Sequence, residues 1–464
     1  MLFNTTQFFV FLAVVLALFY LSPRGLRKYI LLAASYYFYG SWNAKFIALL
    51  LTLTAIDYVA GLWLERVPSG ARRKAVLIFS LAANLGFLGF FKYYNFLAGN
   101  LALATGRPVN SFLLQIVLPL GISFHTFQSM SYVIDVYRGK QPAVRNPVDY
   151  ALFICFFPQL VAGPIVRARD FFRDLWGWKQ PSADDVARGV FLVALGLTKK
   201  MAFADQFAQV ANAYFADVAA SPGALAAWSG VFAFALQIYF DFSGYTDMAI
   251  GMAKLLGFHF PINFRRPYLA ASITDFWRRW HISLSTWLRD YLYIPLGGSR
   301  EGRLKTYCNL MLTMLLGGLW HGASWNFLVW GGYQGALLAI ERLVRGEHAA
   351  EEVWNWSYPL RAILTFALAC VGWVFFRAAD LKQGVYILGQ MFHGNAGKLL
   401  LEPWHFELAV LALILAIGEE KREWFERAIR APAPIYACAL AAMLFCLEIF
   451  AVMDAAIPFI YFQF

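Results

Sequence analysis

The chain reads as an all-α polytopic membrane protein, and three observations carry that prediction. Of its 464 residues, 60% are hydrophobic and 14% charged, against about 45–50% and about 25% in a soluble domain. Apolar runs recur from end to end, and a bilayer core of about 30 Å needs about 20 helical residues to cross it. Basic residues collect in every second short connection, the pattern that orients a multi-span chain. At that span length the sequence has room for about ten or eleven transmembrane helices with short connections. Residues 1 to 464 are therefore expected to form a single integral membrane domain.

The elements follow in chain order. The stretch MLFNTTQFFVFLAVVLALFYLSPRG has its basic residue after the apolar run rather than before it. It is expected to stay as a first span entering from outside, not to leave as a signal peptide. Residues 22 to 28 carry Arg24, Arg27 and Lys28, GSWNAK is nearly neutral, and ERVPSGARRK is basic again. The alternation places residues 92 to 110 outside and YRGKQPAVRN (137 to 146) inside. YALFICFFPQLVAGPI (150 to 165) begins and ends on the same side and is too short to cross twice. Its Pro158, Gly163 and Pro164 would break a helix, so a re-entrant segment is expected, with its backbone satisfied by protein or water.

Further spans are expected near 186 to 214 and 229 to 256. Residues 257 to 307 are too polar to cross and hold eight Lys and Arg residues, which places them on the cytoplasmic face. Residues 308 to 344 enter the membrane and return, and spans near 359 to 377, 404 to 418 and 434 to 453 complete the set, leaving both termini outside. No internal repeat is visible, which counts against common transporter architectures. The net charge of +11 lies in short loops and reports topology, not a nucleic-acid partner. Cys155, Cys308, Cys370, Cys438 and Cys446 form no CxxC or disulfide-like pattern. The seven histidines are scattered, with no pair on neighbouring turns, so no metal site is expected.

Three polar groups interrupt this apolar background. TDFWRRWHISLSTWLRDYLYIPLGG (274 to 298) has Trp277, His281, Leu284, Leu288 and Tyr291 at helical spacing, which predicts one amphipathic cytoplasmic helix with His281 turned toward the protein. A functional imidazole and a hydrogen-bonded interfacial anchor are both compatible with it. His321 lies within an apolar run, where an ionisable group is costly and marks a functional site by default. Gly317, Gly318, Gly322, Gly331, Gly332 and Gly335 around it allow close backbone approach or room for a substrate, and Trp320, Trp325, Asn326 and Trp330 could wall that space. The imidazole suits a general base; the alternative is a histidine that bridges two helices. In QIYFDFSGYTDMAIGMAKLLG (237 to 257), Asp241, Tyr245 and Asp247 are open to a structural reading or a proton relay. A proton-coupled transporter or polysaccharide export channel using Asp241, His321 and Asp247 is the rival from another class.

FFPQLVAGPIVR (156 to 167), DFSGYTDMAIGMAKLLGF (241 to 258), PINFRRPY (261 to 268), DFWRRWHISLSTWLRDYLYIPLGG (275 to 298) and GGLWHGASWNFLVWGGYQG (317 to 335) resemble the membrane-bound O-acyltransferases, in particular their bacterial alginate O-acetylase-like branch. The resemblance runs nearly end to end and includes LPLGISFHTFQSMSYVIDVYRG (118 to 139). It implies a ring of spans around a thinned centre, with re-entrant segments and funnels meeting near the catalytic histidine. His321 would be the base, and His281 would help position substrate. Trp320, Asn326, Trp277, Trp280, Ser285 and Gln159 would line a substrate tunnel. Arg265, Arg266, Arg278 and Arg279 would guide a phosphorylated donor, acetyl-CoA or an acyl carrier protein thioester, with no bound cofactor.

The resemblance also implies a bacterial inner (cytoplasmic) membrane location, contact with membrane lipid, and a periplasmic SGNH-type O-acetyltransferase partner. That partner would finish acetylation of an exported polysaccharide. The final residues, IPFIYFQF (457 to 464), resemble an aromatic tail of such systems, which makes Tyr461 a candidate acyl acceptor. The other reading is an aromatic belt at the membrane interface.

Overall fold

The computed structural model describes residues 1 to 346, 354 to 452, 457, 459 and 460. Among the described residues every regular element is helical. The chain divides into two compact units, residues 1 to 190 with 248 to 261, and residues 191 to 247 with 262 to 464.

The first unit holds α1 (Thr6–Leu21), α2 (Arg24–Asn43), α3 (Lys45–Arg66), α4 (Ala71–Leu88), α5 (Tyr94–Ala104), α6 (Ile122–Tyr137), α7 (Pro147–Cys155) and α8 (Ala168–Trp176). Polar groups within it are paired across helices. The buried Asp57 carboxylate of α3 accepts from Ser80 Oγ at 2.6 Å and Asn84 Nδ2 at 2.9 Å, both on α4. Lys28 of α2 meets Asp149 of α7 at 2.7 Å. The apolar excursion at 150 to 165 is a short helix, α7, followed by buried turns through Gly163. Pro158 falls after the helix has ended, in keeping with its missing N–H.

The chain changes unit within α9 (Ala183–Thr198) and α11 (Ala224–Leu255). The second unit adds α10 (Asp205–Ala216), α12 (Ile273–Arg279), α13 (Ile282–Leu288), α14 (Arg303–His321), α15 (Trp325–Arg345), α16 (Tyr358–Arg377), α17 (Leu381–Met391), α18 (Pro403–Arg422), α19 (Trp424–Arg430) and α20 (Ala433–Phe450).

Among the described residues five helices are long and apolar enough to cross a membrane: Lys45–Arg66, Ala71–Ala104, Ala224–Leu255, Tyr358–Arg377 and Ala433–Phe450. The last buries none of its residues within the chain, as expected of a helix solvated by hydrocarbon rather than protein.

The α14–α15 hairpin is the centre of the second unit. Its two helices approach until glycine is the only residue that fits. A Cβ on Gly318 would strike the Phe327 carbonyl, and one on Gly331 would strike the Met314 carbonyl and come within 3.0 Å of the Leu315 Cα. The sequence left two uses of these glycines open, and Gly318 and Gly331 serve close backbone approach.

The expected single helix over 274 to 298 is not formed. It is cut into α12, α13 and a π-helical turn, Arg289–Tyr293, because Trp280 is extended and His281 takes a left-handed conformation at φ 43°. The break is held by specific hydrogen bonds. A helix start leaves its first N–H groups unsatisfied, and those of α13 are taken in turn. Ile282 donates to the Asn263 carbonyl at 2.9 Å, Ser283 to Asn263 Oδ1 at 3.1 Å, and Leu284 to His281 Nδ1 at 3.2 Å. At the start of α12, the N–H groups of Ile273 and Thr274 donate to the Glu341 carboxylate of α15 at 2.7 and 3.1 Å.

Candidate active site

His321 is the last residue of α14 and is 6% exposed. The chain turns immediately after it because Gly322 is extended (φ −164°, ψ 152°) and a Cβ there would enter the Phe327 ring. Ser324 then opens α15. This geometry fixes the imidazole among four rings, with centroids at 4.9 Å (Trp320), 5.2 Å (Trp330), 5.0 Å (Phe376) and 6.5 Å (Phe327).

Trp320 also lies 6.0 Å from His281, so one indole packs against both histidines. His281 is fully buried against Phe242 at 4.8 Å. Burial pushes its imidazole down to about 3, which makes it a neutral ring at pH 7. With Nδ1 accepting from Leu284, it is the cap of α13 and not a rung of a continuous helix face.

Behind the histidines stands an aromatic wall. Trp280 packs tilted against Trp373 at 4.9 Å, Trp373 stacks on Trp330 at 6.1 Å, and Trp277 meets Trp330 edge-on at 5.8 Å. Trp277 Nε1 donates to Gln334 Oε1 at 3.3 Å. Asn326 Nδ2 donates to the Ala378 carbonyl at 2.7 Å. Asn326 Oδ1 and Trp330 Nε1, one helical turn apart and both buried, have no hydrogen-bond partner among the described residues. Buried polar atoms are normally satisfied, so the donor of Trp330, whose ring packs against the imidazole, and the acceptor of Asn326 one turn away suit a polar ligand.

The other predicted residues make contacts of their own. Ser285 Oγ donates to the Trp280 carbonyl at 3.1 Å. Gln159 belongs to the first unit, where its Nε2 donates to the Phe153 carbonyl at 2.7 Å. Arg266 and Arg279 are joined through Glu420, at 2.5 and 2.8 Å, and Arg279 also holds Asp275 at 2.9 Å. Burial alone would raise the Glu420 carboxyl, but the two guanidinium groups hold it below the usual range. Arg265 and Arg278 are exposed. Tyr461 lies outside the described residues.

Sequence reasoning missed Asn263, Glu341, Lys199 and Lys200. The last two pair with the carboxylates of α11, Lys199 with Asp247 at 2.6 Å and Lys200 with Asp241 at 2.6 Å. Two adjacent lysines inside the apolar run GLTKKMAFAD were a visible signal, since an intramembrane cation needs a partner.

Known proteins share much of this sequence. The sequence profile of MBOAT, the membrane-bound O-acyltransferase family, matches residues 82 to 379. The protein named "Probable alginate O-acetylase AlgI" in Azotobacter vinelandii is 46% identical over 398 residues, covering 84% of this chain and 78% of that protein. Its namesake in Pseudomonas aeruginosa is 42% identical over 446 residues, 94% and 84% of the two chains. The peptidoglycan O-acetyltransferase of Helicobacter pylori is 38% identical over 435 residues, 86% and 81%. The chain belongs to the membrane-bound O-acyltransferase family. It is a multi-pass membrane enzyme that transfers acyl groups to hydroxyl groups.

Proposed function

We propose that this enzyme takes an acetyl group from a cytoplasmic thioester and passes it across the bacterial inner membrane for O-acetylation of an exported polysaccharide such as alginate. The observation that carries this reading is His321, an imidazole seated at a helix end among Trp320, Trp330 and Phe376, in a chain 42 to 46% identical to proteins named for alginate O-acetylation. About ten or eleven spans, with both termini extracytoplasmic, would surround that histidine. The 150 to 165 segment would re-enter from the cytoplasmic side.

In this mechanism the donor is acetyl-CoA or an acyl carrier protein thioester, approaching past the exposed Arg265 and Arg278, whose charge suits a phosphorylated ligand. The Tyr461 phenol oxygen attacks the thioester carbonyl carbon while His321 takes the phenol proton. The new C–O bond forms, the C–S bond breaks, and the proton passes to the departing thiolate. Trp330 Nε1–H and Asn326 Oδ1, without a hydrogen-bond partner among the described residues, would hydrogen-bond the reacting groups. His281 caps α13 and sets the position of Trp320. A periplasmic SGNH-type transferase then moves the acetyl group from Tyr461 to a sugar hydroxyl and regenerates the phenol.

The test is polymer acetylation in cells that carry His321→Ala at normal expression. Loss of acetylation supports the assignment of the base, and retained acetylation overturns it.

A further inference from the structure

Lys200, Asp205 and Asp241 form a buried cluster of one amino group and two carboxyl groups. Lys200 Nζ stands 2.6 Å from Asp241 Oδ1 and 2.8 Å from Asp205 Oδ1, and all three side chains are at most 4% exposed. Such a cluster is expensive to bury unless the remaining oxygens find donors. Asp241 Oδ2 finds one in the C-terminal segment, accepting the backbone N–H of Ile460 at 2.6 Å.

The segment is seated by packing as well. The Phe459 ring lies edge-on to Tyr245 at 4.9 Å, with Lys200 Nζ 4.7 Å from its centroid. Ile460, 1% exposed, belongs to the same continuous apolar cluster as Phe327, Trp330 and Phe376, which enclose His321. Asp241 lies 17 residues into α11 (Ala224–Leu255), about 25 Å along its axis at 1.5 Å per residue.

We infer that Asp241, oriented by Lys200 and Asp205, is a clamp that holds the C-terminal segment at Phe459 and Ile460, and that acetyl transfer depends on this clamp. A backbone N–H is read without regard to side chain, so Phe459 in its slot against Tyr245 and Lys200 supplies the register. The catalytic consequence rests on the reading of Tyr461 as acyl acceptor; the clamp itself does not. Asp241, Lys200 and Asp205 are positioning residues in this scheme.

The experiment is hydrogen–deuterium exchange of the C-terminal peptide in the purified full chain, beside the single-turnover rate of acetyl transfer from acetyl-CoA onto the chain. A charge-assisted hydrogen bond predicts that Asp241→Ala speeds exchange at Ile460 by about tenfold or more, with Asp241→Asn intermediate. In both, the limiting single-turnover rate falls while the acetyl-CoA concentration that gives half of it stays unchanged, a split that general loss of structure would not give.

If Asp241→Ala does not fold, Ile460→Pro removes the donor and leaves the charged group intact. The Phe459 amide should then exchange faster, whereas in Ile460→Val it should not. Equal exchange of the tail amides in wild type and these variants overturns the clamp. Faster exchange with unchanged acetyl transfer supports the clamp and overturns the acceptor role of Tyr461.

Discussion

Gly331→Ala should loosen the α14–α15 seam, whereas Gly332→Ala should not. At Gly331 the added methyl meets backbone on the facing helix, namely the Met314 carbonyl, the Leu315 Cα at 3.0 Å and the Met314 carbonyl carbon at 3.1 Å. None of these can rotate away, so the helices must separate or bend. At Gly332 the same methyl meets only Leu315 Cδ2 at 3.6 Å, an ordinary contact. Overpacking costs about 1–3 kcal/mol, while replacing glycine by alanine within a helix returns about 0.5–1 kcal/mol at either position. The propensity gain cancels between the two variants, leaving a difference of about 1–3 kcal/mol that belongs to the seam. The assay is thermal unfolding in detergent followed by the monodisperse fraction, with acetyl transfer measured on the same samples. Because Gly331 lies one residue after Trp330, Gly331→Ala should also lower activity. Equal midpoints for the two variants would refute the close-approach argument.

Three further outcomes follow from the site. Trp330→Phe keeps most of the ring packing and removes an N–H that has no partner among the described residues; acetyl transfer should fall up to about tenfold with little change in thermal midpoint, and unchanged turnover would remove Trp330 from the mechanism. Asn326→Ala takes away the donor to the buried Ala378 carbonyl and should cost about 1–3 kcal/mol of stability, read from the unfolding midpoint. The Glu420 carboxyl is held below its ordinary value of 4.5 by Arg266 and Arg279, so its contribution is complete above that pH and is lost as pH falls through the lower folded value. Wild type should therefore be more stable than Glu420→Gln at pH 6, and the gap should close as pH drops below 4.5; a gap independent of pH would contradict the ion-pair network.

The helical class was legible because composition and the alternation of basic loops report the bilayer directly, and α11, α16, α18 and the α14–α15 hairpin lie close to where the apolar runs place them. His321 was legible for the same reason, as one ionisable group in an apolar run. The region around His281 was not. Its helical spacing is present in the sequence, but the backbone breaks at His281 because Asn263, 18 positions earlier, takes two of the N–H groups that a continuous helix would have bonded internally. Periodicity cannot register a hydrogen bond from a distant segment. The four arginines divide in the same way: Glu420, far along the chain, claims Arg266 and Arg279, and the local sequence gives no sign of which of the four is taken. The polar positions of α11 could be read as structural or as a relay; their lysine partners, Lys199 and Lys200, both lie in the π turn after α9, Lys199–Ala204, and which carboxylate each one meets shows only when the helices lie side by side.

Transfer of label from radiolabelled acetyl-CoA to the purified protein, with His321→Ala and Tyr461→Phe measured alongside, tests the central claim most directly. The account predicts a labelled chain in wild type, alkali-labile and mapped to the C-terminal peptide, and no label in either variant. Label that persists in His321→Ala would contradict the base, and label that persists in Tyr461→Phe would contradict the acceptor.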